Sequence, residues 1–475
     1  MKIMKITAIL AIALAISMTS VGCAKVADDF IEREPETEEV IAPQDEENEE
    51  LLKKYNTHKE NASLAFTTYD ENSADDFEYE AVDGKVSVKK YIGEREIVIV
   101  PSSIDGAPVV SIEDRAFEGL FVRAVYIPDS VEHIGFAVFS GCSNMSTLRI
   151  PFVGDGGDIN FGGYIFGAKE YLENGLNVPG SLKMIILGEN VQRVEENAFF
   201  GFKSVEAFVL PKSLKRISNF AFNDCRSLVY VNLPEGLTDI GQYAFMNCQS
   251  LYIVEIPSSI DSVGLGAFMD CSALKHLTLP FIGNTRSENN FAGYIFGAEN
   301  GEWNESFMPK SLTHITILGS CEIIPISAFE NCTSVYSITL SDGVKRVDIA
   351  AFSNCKSLTK LYIGNAVEII AEEAFLGCKA LKTIEFADNS KLEKIGMQAF
   401  MGCEAIVELK LPDSVKRIEN SAFYNCVSLK KVSANGLEHI AKSAFRNCNA
   451  ISEVNGINKD CVTEDGNSTL IAAIK

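Results

Sequence analysis

Residues 221–248 read AFNDCRSLVYVNLPEGLTDIGQYAFMNC, and the closing Ala-Phe-Met-Asn-Cys restarts the opening Ala-Phe-Asn-Asp-Cys 23 positions on. The unit Phe recurs at Phe117, Phe139, Phe199, Phe222, Phe245, Phe268, Phe329, Phe352, Phe375, Phe400, Phe423 and Phe445, after Ala everywhere but at Phe139, where Val138 precedes it, and mostly in steps of 23 residues. A fixed period of this length belongs to a solenoid, whose units bury their apolar faces against their neighbours. Within one unit Leu228, Val231 and Leu233 alternate with the period of a strand. Pro234 cannot donate to a sheet ladder and ends that strand. The i, i+4, i+5 spacing of Ile240, Ala244 and Phe245 predicts a single helical turn beneath the strand layer. One coil is thus expected to be a short strand, a corner and a turn.

Two steps, Phe139 to Phe199 and Phe268 to Phe329, are long: 60 and 61 residues. Their inserts match each other, PFVGDGGDINFGGYIFGA (151–168) against PFIGNTRSENNFAGYIFGA (280–298). Phe166 and Phe296 therefore head two altered coils, followed by long loops at about 167–181 and 297–311. The expected fold is an α/β-type solenoid of about fourteen coils.

The unit I-P-x-x-V-x-x-I-x-x-x-A-F-x-x-C-x-x-L resembles the BspA-like leucine-rich-repeat family, and the resemblance runs over residues 76–475. The lead-in at 83–117, the GYIFGA units and the closing CVTEDGNSTLIAAIK share it. The asparagine usual after the strand of leucine-rich repeats is replaced here by Gly236. The resemblance implies a bacterial cell-surface protein that adheres to or binds host or microbial macromolecules.

The first residues, MKIMKITAILAIALAISMTSVGC, read as a signal peptide: Lys2 and Lys5 precede an apolar run, Ile6 to Ile16, too short to span a bilayer. Val21-Gly22-Cys23 resembles a bacterial lipobox, with Cys23 the acylated anchor. Residues 24–80 hold 19 acidic against 5 basic side chains. Such a run repels itself and lacks the apolar surface to fold. The expected organisation is a signal peptide at 1–22, an acidic flexible tether at 23–75 and a capping hairpin region at 76–110. The solenoid follows at 111–455, with longer coils near 151–190 and 280–320, and a cap at 456–475 closes it. The net charge of −23 argues against nucleic acid as a partner, which would need a basic footprint.

Ten of the 13 cysteines, Cys142 and Cys225 among them, sit three residues after the unit Phe. Leu120 and Phe202 fill that slot elsewhere, which marks it as apolar core. No close Cys-x-x-Cys pair offers a zinc site, so no metal is expected. Cys321 and Cys461 fall outside the row. None of the five histidines belongs to a catalytic constellation, and neither a phosphate loop nor a dinucleotide fingerprint occurs. Neither a cofactor nor catalysis is expected.

If Val231 and Leu233 face inward, Tyr230 faces out. The same reading nominates Tyr126, Arg149, His276, Lys360 and Tyr362 as an outward binding face, Tyr and Arg being typical of interface hot spots. Tyr171 and Trp303, in the two long loops, are a second candidate contact. The expected role is a non-catalytic module binding a protein or glycan at the cell surface. The chain would touch the membrane only through its lipid anchor, or be secreted without one. Two rivals are a structural spacer without a ligand and a glycan hydrolase, which would need paired carboxylates in a cleft.

Overall fold

The computed structural model describes residues 46–64, 70–286, 288, 291–301 and 304–474. Each unit lays down a strand of two to four residues whose inward side chains are aliphatic. Strands of successive units pair in parallel, so that His276–Leu279, His314–Ile317, Ser337–Leu340 and Lys360–Ile363 lie side by side in register. A second column of two-residue strands, such as Arg193–Val194, Arg216–Ile217, Asp239–Ile240 and Ser262–Val263, runs along another side of the stack.

The predicted helical turn is not there. Ile240 belongs to the second strand column, and the Ala-Phe segment after it is a succession of turns bracketed by left-handed residues. Tyr243 and Asn247 have φ of 54° and 60°. Their placement lets alternate N–H groups point along the stack: those of Tyr243, Phe245 and Asn247 donate to the carbonyls of Leu265, Ala267 and Met269 at 3.1, 2.8 and 2.8 Å. The turn segment is therefore a third hydrogen-bonded ladder, which explains why it outcompetes a helix whose N–H groups would bond internally.

The solenoid has about 16 turns, against the fourteen expected. The surplus lies at the ends. Tyr91, in the hairpin of Phe77–Val82 and Lys85–Tyr91, takes a unit-Phe place and stacks on Phe117 at 5.5 Å. At the other end Glu453–Asn455 adds a strand. Asn467, fully buried, then stands in for a further coil: its Oδ1 accepts from the N–H of Phe445 at 2.9 Å, and its Nδ2 donates to the carbonyl of Ala441.

A single apolar core runs from Phe77 to Leu470. The unit phenylalanines form near-parallel stacks, with Phe222, Phe245 and Phe268 5.0 and 5.4 Å apart. A second stack runs from Phe329 to Phe445. The row of cysteines is buried in this core. Nine of these ten thiols donate to the carbonyl of the unit Phe one coil back, as from Cys248 to Phe222 and from Cys378 to Phe352, while Cys332 turns to the carbonyl of Glu330 in its own turn. Burial pushes the Cys142 thiol up to about 11.

The long coils share one device. Asn174 and Asn304, both buried, accept the N–H of Gly163 and Gly293 at 3.0 and 2.7 Å. Each thereby ties a short loop helix to its GYIFGA segment.

Residues 46–64, expected within the flexible tether, form a 19-residue helix, α1 (Glu46–Leu64). Tyr55 is buried in a small cluster with Met184, Ile186, Ala207, Val209, Val229 and Tyr230, with Leu51 and Ala62 packed against it. These residues of α1 and His58 fall at i, i+4, i+7 and i+11, one stripe of a helix. Among the described residues no helix is long and apolar enough to cross a membrane.

Candidate binding face

Side chains alternate across a strand, so each strand of the first column offers two outward positions. The register aligns Thr147, Met184, Ala207 and Tyr230 in one row and Tyr126, Arg149, Ile186 and Val209 in the next. Farther along, the equivalent rows are His276, His314, Ser337, Lys360 and Thr278, Thr316, Thr339, Tyr362. The face thus has two parts, one apolar and one polar.

α1 covers the apolar part. Tyr230 is 6% exposed, beneath the ring of Tyr55 at 5.3 Å in an edge-on contact. It is therefore not the open contact residue its outward position suggested. Arg149 is also turned inward, at 9% exposure. Its guanidinium donates to the carbonyl of Ile127 and pairs with Asp129 at 2.7 Å. Tyr126 packs against the α1 cluster, partly buried. The edge of the contact is polar: His58 Nε2 lies 3.4 Å from Glu206, which Lys183 pairs from the other side at 3.3 Å. His58 foremost, with Lys183 and Lys54, holds the Glu206 carboxyl below its usual range against the opposing effect of burial.

The polar part is half-buried, with His276, His314, Tyr336, Lys360 and Tyr362 partly exposed and Tyr252 buried at its edge. Tyr252, His276, His314 and Tyr336 form a row of rings, with centroid separations of 5.7, 4.5 and 6.1 Å, the two imidazoles nearly stacked. Burial, then His314 and Lys275, push His276 down to about 4, so its imidazole is neutral near pH 7. Lys360 and Tyr362 stand half-exposed on one strand two positions beyond. Of the candidate residues, His276, Lys360 and Tyr362 are brought onto one surface, while Tyr126, Arg149 and Tyr230 belong to the covered part. The ring row gained His314, Tyr336 and Tyr252, which the alignment of the altered coils missed.

The loop candidates divide differently. Tyr171 packs edge-on against Phe200 of the neighbouring coil at 5.6 Å, the role of a loop aromatic that anchors its own loop. Trp303 and Cys23 lie outside the described residues.

The model of the BspA type leucine-rich-repeat region matches residues 103–166, 177–295, 303–392 and 388–468, in six copies. The chain belongs to this family. Among solved structures it is similar to a leucine-rich repeat protein from Bacteroides ovatus, at 26% identity over 82% of this chain and 94% of that one, with a TM-score of 0.35. It is also similar to a leucine-rich cell surface protein from Faecalibacterium prausnitzii, at 20% identity over 83% and 96%, with a TM-score of 0.28. The pneumococcal vaccine antigen PcpA matches at 16% identity over 83% and 96%, with a TM-score of 0.30. No curated protein matches the sequence.

Proposed function

We propose that the chain is an exported, non-catalytic cell-surface module that binds a protein or glycan on the open part of its strand face. The family supports a repeat-based binding or scaffold role. The observation that carries the reading is the partly exposed row His276, His314 and Tyr336 with Lys360 and Tyr362 beside it. It sets rings, hydroxyls and a cation on a sheet fixed by the coils beneath, so a ligand meets a surface that needs little ordering. The lipobox-like Val21-Gly22-Cys23 places the anchor at Cys23, and the cell surface as its location follows from that anchor and the family. Replacing Cys23 by Ala should release the protein or leave it unprocessed, and unchanged fractionation and acyl labelling would remove the anchor.

The binding test immobilises the mature chain and offers extracellular-matrix proteins, mucins and microbial glycans. A saturable ligand should lose at least tenfold in affinity, about 1.4 kcal/mol, on combined substitution of His314, Tyr336 and Tyr362 by Ala. If no ligand saturates, the structural spacer is the better reading.

A further inference from the structure

Outward apolar pairs occur where α1 lies: Met184 with Ile186, and Ala207 with Val209. Other coils carry His276 with Thr278, Lys360 with Tyr362, or Glu408 with Lys410 at the same positions. We propose that the face from Met184 to Tyr230 is a docking site for an amphipathic helix with a central aromatic residue, and that α1 is its resident, displaceable occupant. This rests on the strand face being the contact surface, and it names the class of partner for its apolar half.

The shape of α1 defines that class. A tyrosine goes fully under, an apolar residue precedes it by four positions and another follows by seven, and a nitrogen donor points at Glu206. Lys59 lies over the Tyr55 ring at 5.7 Å, so a cation beside the aromatic residue fits as well.

Two features make α1 displaceable. Of its apolar residues whose burial is described, Tyr55 is fully buried, while Leu51, Leu52 and Ala62 are partly so. The Nδ1 of His58 is buried without a partner among the described residues, a penalty that a better-matched helix would avoid. A 19-residue helix drawn from an acidic run has little stability apart from its docking face. Ile253 packs at the edge of the same cluster, next to Tyr252 and His276, so departure of α1 joins the apolar and polar parts into one continuous surface.

The test uses the mature chain and a fluorescent peptide with the sequence of residues 46–64. Tyr55→Glu should vacate the site and bind the peptide at least tenfold more tightly than wild type does. Adding Val209→Glu should abolish that binding. Leu51→Asp should reproduce the effect of Tyr55→Glu, and an unchanged melting curve of either variant shows the solenoid intact. Equal binding to wild type and both vacated variants, or none to any up to about 1 mM, the effective concentration of a tethered segment, overturns the proposal. Dimers of wild type that dissociate on Tyr55→Glu would place α1 on a second copy and overturn the resident assignment. The probe is independent of any macromolecular ligand, so failure to find such a ligand sinks the open-face reading alone.

Discussion

Asn425, like Asn247 and Asn354, follows its unit Phe by two positions and holds a φ of 64°. Every standard unit has Gly, Asn or Asp there, the residues that tolerate the left-handed region. The position two before the Phe is also left-handed, yet accepts Arg115, Phe220, Tyr243 and Glu373. The inter-coil hydrogen bonds of the turn ladder hold it there against its local preference. Asn425→Val should therefore cost about 1–2 kcal/mol by the left-handed penalty, while Asn425→Gly should stay within about 1 kcal/mol of wild type. Denaturant unfolding of the two variants separates them, and equal stability would show the φ to be irrelevant. The sequence carried this signal openly in its A-F-x-[G/N/D]-C pattern. Reading Ile240, Ala244 and Phe245 as a helical turn missed it because i, i+4 spacing alone does not report the sign of φ.

At the scale of elements, the first strand column was legible from period-two alternation, whereas the second column of two-residue strands and α1 were not. Its stripe of Leu51, Tyr55, His58 and Ala62 is sparse, and the acidic residues around it give the composition of a disordered run. A second signal lay elsewhere: Met184, Ile186, Ala207 and Val209 are apolar at positions that should face water, and such a surface needs a cover. The docking of α1 should depend on acid. Glu206 has its folded value lowered by His58 first and by Lys183 and Lys54 after. Its contribution is complete above the ordinary carboxylate value of 4.5 and is lost as pH falls through the lowered one. Quenching of a probe on α1 across pH 6 to 3 should show release at the acid end, and pH-independent docking would remove Glu206 from the interface. The open ring row behaves differently. His276 is pushed down from 6.5 to about 4, so the unfolded chain takes up its proton first. Its contribution to stability is present above 6.5 and is lost as pH falls from 6.5 to about 4. In His276→Phe this segment of the stability–pH curve should flatten, and an unchanged slope would refute the assignment.

Across the whole molecule, the long coil at about 280–310 separates two stretches of the second strand column, Arg193–Val263 and Ile323–Ile440. It also separates the two phenylalanine stacks. In a nearest-neighbour stack the weakest junction sets where cooperativity breaks. Phe245→Ala should cost about 3–5 kcal/mol and loosen the coils before the junction more than those after it. Hydrogen exchange resolved along the chain checks this, and uniform loss of protection to Phe445 would show one cooperative block. The period gave about fourteen coils of the roughly 16 turns present, the surplus lying in the caps. The caps were harder, because Tyr91 and Asn467 imitate a coil with side chains that do not repeat its letters.

The thiol ladder sets a clock on maturation. Every described thiol except that of Cys461 is buried, and all the donors in the ladder but Cys332 are turned toward the coil behind them, so the described coils present almost nothing for an oxidant to reach. Before stacking, the same side chains are open, closely spaced along the polypeptide and free to cross-link at random. Under oxidising conditions the chain must close its coils faster than its cysteines meet an oxidant. Oxidant given during refolding should therefore trap scrambled disulfides, whereas the same dose after refolding should leave the ladder intact.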